Sequence, residues 1–298
     1  MSWSTHCRSN GKAAVYGLDD QVMKILQVPD AVRYKTMSTE QLRSSFLLET
    51  LFVEDSLDLV YVDLDRTIIG SAVPANGPLT LPSPDELRAT SFLERRELGV
   101  LNIGGPGSID VDGVQYSLDK LDALYIGRGV ASVTFCSSDS TSPSAFYLLS
   151  YPAHAVYPTA LIRFADQQPV DLGAQETANS RHISKLIHLE GTRSCQLVMG
   201  VTQLDDGNIW NTMPPHTHMR RSEVYLYFDV PPTDRVIHLM GPPQETRHLV
   251  IANRQVVISP GWSIHAGVGT RNYKFCWGMG GENQVYTDMD PALITDLL

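Results

Sequence analysis

The sequence predicts an all-β protein: two β-barrels of the jelly-roll kind in one chain, with a few short helices. Three observations carry this. Short runs rich in Val, Ile, Tyr and Phe recur along the chain, bounded by Gly, Pro and Asp turn residues. Helical periods are few, and short strands at even spacing close into sandwiches or barrels. The length of 298 residues, 43% of them hydrophobic, suits two domains of about 100–150 residues each.

Residues 1–37 are weakly patterned and read as an extension that packs on, or reaches across, a folded body. Ser38 and Gln41 form a capping-box pair for a short helix over about residues 39–52. A first barrel is expected over 38–180 and a second over 181–298. Strand runs include LVYVDLD (59–65), LGVLNIGG (98–105), ALYIGRGV (123–130) and SAFYLLSY (144–151) in the first. EVYLYFDV (223–230), RHLVIANRQVVIS (247–259) and YKFCWGMG (273–280) follow in the second. GGPG, DVDG and DDG supply turns between strands. EVYLYF is apolar on both faces, whereas a strand with one face in water alternates. A covered outer face is therefore expected, most simply by a neighbouring subunit.

The two halves carry a weak repeat. ERRELGVLNIGG (94–105) resembles MRRSEVYLYFDV (219–230), which matches Glu97 to Glu223. ALYIGRGVASVTF (123–135) resembles the segment around 259–275, which matches Ile126 to Ile264. On this register Thr90, Phe92 and Gly127 stand where the second half has His216, His218 and His265.

Net charge is −10 and the isoelectric point near 5.3, so the surface repels nucleic-acid phosphates. No stretch approaches the roughly 20 apolar residues of a membrane span, and the first residues hold no run suited to a signal peptide. Cys7, Cys136, Cys195 and Cys276 are scattered, with no CxxC pair. Free thiols in a cytoplasmic protein are expected.

The chemistry gathers in MPPHTHMRRSEVYLYF (213–228). His216 and His218, two apart on a strand, face the same way. Glu223 lies an odd offset from His218, so Met219, Arg220, Arg221 and Ser222 are expected to turn the chain back. His265, after the turn Ser259-Pro260-Gly261, completes a set of three imidazoles and one carboxylate. Such donors suit Zn, Fe, Mn, Ni or Co rather than Ca or Mg. An HxH pair alone fits a surface strand equally well; the added Glu and His favour a metal site.

His-x-His, then Glu, then a distant His after a proline turn resembles the cupin metal motif. SFLERRELGVLNIGG, NTMPPHTHMRRSEVYLYF, MGPPQETRHLV, ISPGWSIHAGVGT and WGMGGENQVYTDMD resemble the 5-keto-4-deoxyuronate isomerase family, also called 4-deoxy-L-threo-5-hexosulose-uronate ketol-isomerases. The resemblance spans about residues 38–298. It implies a bicupin fold, a hexamer, and one zinc per chain on His216, His218, Glu223 and His265. It implies a linear keto-uronate substrate from pectin or polyuronide breakdown. 5-Dehydro-4-deoxy-D-glucuronate would become 3-deoxy-D-glycero-2,5-hexodiulosonate through a metal-assisted enediolate. Residues 1–37 depart from the family's usual start, and Pro215 and Gly261 stand beside ligands where other small residues are expected.

Such a reaction needs a base that moves a proton between adjacent carbons. Glu245 is the candidate base, and Arg247, on the same face of its strand, the candidate carboxylate clamp. A structural Glu–Arg pair fits them equally. Trp210, Asn211 and Tyr225 are candidate pocket walls. His248, Glu97, Arg95 and Arg96 read as structural; the remaining histidines show no ligand spacing. Two other functions share the ligand set or the fold: an iron-dependent cupin dioxygenase, and a non-enzymatic sugar-binding cupin.

Overall fold

The computed structural model describes residues 23–298; Cys7, His6 and most of the predicted extension lie outside them. The fold is all-β and cupin-like, as expected: two seven-stranded and two four-stranded sheets. In the first barrel the seven-stranded sheet holds Leu57–Val62, Ile68–Ala72, Phe146–Pro152, Arg96–Asn102 and Ala123–Ile126, flanked by two short edge strands. Leu79–Thr80, Val133–Ser137, Gly107–Val111 and Val114–Leu118 close it. The second repeats the plan with Arg181–Ile187, Val198–Leu204, Lys274–Gly281, Arg221–Phe228 and Gln255–Ser259, faced by Trp210–Asn211, Ile264–Gly269, Val236–Gly241 and Arg247–Ile251. The DVDG turn behaves as read: Asp112 and Gly113 have φ of 48° and 85°, the left-handed pair that a tight hairpin requires.

The two seven-stranded sheets pack on each other within the chain. Val224, Leu226 and Phe228 face Leu101, Tyr147, Leu149 and other residues of the first barrel, while Tyr225 and Tyr227 face their own barrel's interior. This corrects the expected subunit interface: the strand is apolar on both faces because the other half of the same chain covers it. At Gly278 an added Cβ would lie 2.1 Å from Leu149 Cδ2, so the sheets meet too closely there for a side chain.

Long-range pairing also corrects the repeat. Glu97 lies on the inter-barrel face of its strand and Glu223 inside its barrel, so matching them is off by one residue, which exchanges faces. Val133–Ser137 holds the place in its sheet that Ile264–Gly269 holds in the other. Thus Gly127, which follows a strand of the opposite sheet, is not the counterpart of His265.

The helix begins as read. Ser38 and Gln41 bond reciprocally, but the helix ends at Phe46, because Leu47 and Leu48 pair with Val257 and Val256 of the second barrel. Tyr34, Phe46 and Trp262 form an edge-on aromatic cluster there. Residues 31–48 therefore pack on the second barrel, unlike the sequence division at 38. RHLVIANRQVVIS, read as one run, is two strands: the chain turns at Ala252–Arg254 (Arg254 φ 62°) and crosses to the other sheet. Cys195 and Cys276 are free thiols. Cys136, half-buried on the strand Val133–Ser137, is disulfide-bonded, contrary to expectation. No described helix is long and apolar enough to cross a membrane.

Candidate metal centre

Three segments deliver the four ligand candidates. His216 lies on the two-residue strand His216–Thr217, which pairs with Asp290–Pro291 rather than forming the expected hairpin. His218 precedes a tight turn closed by Arg221 N–H donating to the His218 carbonyl at 3.1 Å. Glu223 follows inside the strand Arg221–Phe228, and His265 comes from the facing sheet. Gly261 fits here because a Cβ would lie 2.9 Å from the His218 carbonyl oxygen and 3.0 Å from Met219 Cα.

The donor atoms converge. His218 Nε2 and His265 Nε2 lie 2.9 and 3.1 Å from the same oxygen, Glu223 Oε2, and His265 Nε2 lies 3.0 Å from His216 Nε2. All four ligand atoms fall within 4.8 Å of one another. Ligands at right angles about 2.1 Å from an ion stand about 3.0 Å apart, so the set matches a transition-metal shell. On the outer side, His218 Nδ1 lies 3.0 Å from the Arg221 carbonyl, which fixes that nitrogen as donor and turns the Nε2 lone pair inward. His265 Nδ1 lies 3.3 Å from Ser259 Oγ. The residues fit a bound divalent cation.

Electrostatics agree. Burial, reinforced by His265, pushes the His216 imidazole down to about 3, so it is neutral and able to ligate. Burial also opposes charge on His218, but its hydrogen bond to Glu223 outweighs this and raises its pKa. Burial pulls Glu223 upward, yet His265 and His218 hold it well below the ordinary carboxylate range.

The centre opens on a pocket of about 240 Å³ whose other walls include Arg181, Thr202, Thr212, Tyr225, Trp277 and Tyr286. Two arginines of the motif hold its rim. Arg221 donates to the carbonyls of Val285 and Asp288, each at 2.8 Å, and Arg220 pairs with Asp288 and Asp290. They pin the C-terminal segment that carries Tyr286 and Met289 over the pocket. Sequence reading passed over Arg181, Thr212 and Tyr286; the RR dipeptide between His218 and Glu223 was the available signal for the rim.

Of the other predicted residues, Tyr225 lines the pocket. Asn211 is buried behind it, donating to the Tyr273 hydroxyl at 2.5 Å, and Trp210 pairs with Val268; neither reaches the pocket wall. Glu245 and Arg247 are not brought to the site. Glu245 is exposed in the turn after Gly241. Arg247, on the edge strand beyond Val236–Gly241, donates to the carbonyls of Met37 at 2.7 Å and Tyr34 at 3.3 Å. Glu245→Gln is accordingly expected to keep kcat within about twofold, where a general base would show a loss of roughly 10²–10⁴-fold. Arg247→Ala is expected to lower stability by about 1–3 kcal/mol through the two stranded carbonyls, with KM little changed. Steady-state kinetics and urea unfolding of the two variants check this.

The KduI/IolB family model matches residues 51–294. The 4-deoxy-L-threo-5-hexosulose-uronate ketol-isomerase of Formosa agariphila is 52% identical over 263 residues, 88% of this chain and 94% of that one. The protein of the same name from an Enterobacter species is 50% identical over 277 residues, 92% of this chain and its full length. Among solved structures, an IolB-like protein from Salmonella typhimurium superposes with a TM-score of 0.68 at 13% identity, over 83% of this chain and 96% of that one. At that identity it speaks for the fold alone. With two cupin-like barrels, a three-histidine, one-glutamate cluster in the second, and half its residues shared with these isomerases over nearly nine-tenths of its length, the chain belongs to the KduI/IolB family.

Proposed function

We propose that this protein is a metal-dependent ketol-isomerase that converts 5-dehydro-4-deoxy-D-glucuronate into 3-deoxy-D-glycero-2,5-hexodiulosonate. The observation that carries this is the His216–His218–Glu223–His265 cluster on the wall of an open pocket, in a chain about half identical to proteins named for that isomerisation. Zinc is the ion we assign, because the family resemblance implies it; three imidazoles and a carboxylate suit it as they suit Fe, Mn, Ni and Co.

A divalent ion held by His216, His218, Glu223 and His265 would supply Lewis-acid polarisation of the substrate carbonyl. The chain's own residues do the rest. Isomerisation moves one proton between adjacent carbons, with no net oxidation. Among the described pocket residues Glu223 is the only carboxylate, and the metal site claims it. Burial pushes the Tyr286 hydroxyl up to about 12 and Tyr225 well above its usual value, so both stay protonated near neutral pH. They serve as hydrogen-bond donors to substrate oxygens rather than as bases. The apolar walls Phe275, Trp277 and Met279 exclude water from the reacting carbons.

Two further proposals rest on the family resemblance: a hexameric assembly and a cytoplasmic role in polyuronide breakdown. The inter-barrel packing already accounts for the two-faced strands, so it lends the hexamer no support. The test of function is turnover of the keto-uronate by purified protein, lost on chelation and restored by zinc. Oxygen consumption with added iron, and no isomerisation, would overturn the reading in favour of a dioxygenase.

A further inference from the structure

Arg181 opens the strand Arg181–Ile187, and its half-buried side chain lines the same pocket as His216 and Glu223. Its bonding is incomplete. Nη1 donates to the Asn179 carbonyl at 2.8 Å. No carboxylate among the described residues comes within ion-pair distance, whereas Arg43, Arg163 and Arg220 each have one. Arg221, the pocket's other arginine, also lacks an ion pair, but it is buried and donates from both terminal nitrogens to backbone carbonyls, with only Nε left without a partner. With one hydrogen bond against two for Arg221, Arg181 is the less committed of the pocket's two arginines.

Its neighbours sharpen the point. Ile183, Phe275 and Trp277 supply apolar wall around it. Burial lowers the pKa of the guanidinium, so the charge stands partly desolvated. A partly buried cation without a counter-ion is costly, and an anion entering the pocket removes that cost. Arg181, Tyr286 and the donor cluster line one cavity, and the Tyr286 hydroxyl feels the charges of both Glu223 and Arg181.

A linear hexuronate has this polarity. Its carbonyl and adjacent hydroxyl stand at one end and its carboxylate at the other, across five C–C bonds that span about 6 Å when extended. We propose that Arg181 receives the substrate carboxylate and so makes the pocket selective for uronates over neutral sugars. This rests on the isomerase reading above. A guanidinium meets a carboxylate at two points, which fixes the far end of the chain while the near end lies at the metal centre.

The test compares wild type, Arg181→Met and Arg181→Lys. The readouts are keto-uronate kinetics, competitive inhibition by D-glucuronate and by D-glucose, and zinc content. Arg181→Met is expected to raise KM by roughly 10²-fold, the scale of a lost bidentate charge-assisted pair. It should also abolish the preference for glucuronate over glucose as inhibitor, with zinc retained. Arg181→Lys should recover part of both, since it keeps charge without the planar fork. A merely structural tie to Asn179 would weaken both inhibitors alike, and that outcome overturns the proposal. So does an active Arg181→Met enzyme with wild-type KM and inhibitor preference. A wild type that binds zinc yet fails to isomerise the keto-uronate overturns the functional reading itself, and the carboxylate anchor with it.

Discussion

Replacing His218 and His265 together by alanine is expected to yield a folded chain that binds no metal and isomerises at least about 10³-fold more slowly. Both imidazoles are buried, and both place Nε2 against Glu223 Oε2. Their loss leaves one imidazole and one carboxylate, too few for a structural or catalytic transition-metal shell. Several kcal/mol of carbonyl polarisation goes with the ion, and each 1.36 kcal/mol is tenfold in rate. Elemental analysis of freshly purified protein gives the direct readout. The wild type should carry one ion per chain and the double variant none. The same measurement examines the first barrel, whose interior positions hold Leu98, Val100 and Phe135, and where no ligand cluster occurs among the described residues. Two ions per wild-type chain, or an undiminished content in the double variant, would contradict the assignment.

The second large effect is expected far from the metal. Glu97 is fully buried between the barrels and accepts four hydrogen bonds: from the Tyr125 hydroxyl at 2.7 Å, and from the backbone N–H groups of Cys195 at 2.6 Å and of Gln196 and Leu197, each at 2.8 Å. One carboxylate of the first barrel thereby fixes the loop that leads into Val198–Leu204 of the second. Glu97→Ala strands three backbone donors and a phenol, with a cost of about 3–5 kcal/mol. For a chain of this size that lowers Tm by on the order of 10 °C. Glu97→Gln should lose less, since its amide oxygen still accepts some of the bonds. Zinc content should be unchanged in both, because Glu97 touches no ligand. A Glu97→Ala protein that melts within about 1 °C of wild type would show that the carboxylate is not what joins the barrels.

The convergence of His216, His218, Glu223 and His265 was legible in the sequence because most of its information is local and chemically narrow. Few residue types ligate a transition metal, His216 and His218 are two apart, and one short turn brings Glu223 back to them. The helix start at Ser38 and the Asp112-Gly113 hairpin were legible for the same reason, since each is decided within a few residues. What the sequence could not decide was which face of a strand looks where. Glu97 and Glu223 sit in similar local text, yet one faces the neighbouring barrel and the other the three-histidine cluster inside its own barrel. A shift of one residue in strand register exchanges the two faces, and register is fixed by pairing with segments far along the chain, such as Phe146–Pro152 and Lys274–Gly281. Glu245 and Arg247 looked suited to catalysis until their strand proved to be an edge strand against residues 31–48. Arg181 looked like any strand-opening arginine until the barrel closed and left its guanidinium in the pocket without a carboxylate partner. Side-chain chemistry is written residue by residue, but whether a charge meets a partner, a neighbouring barrel or a substrate depends on contacts that form only when distant strands assemble.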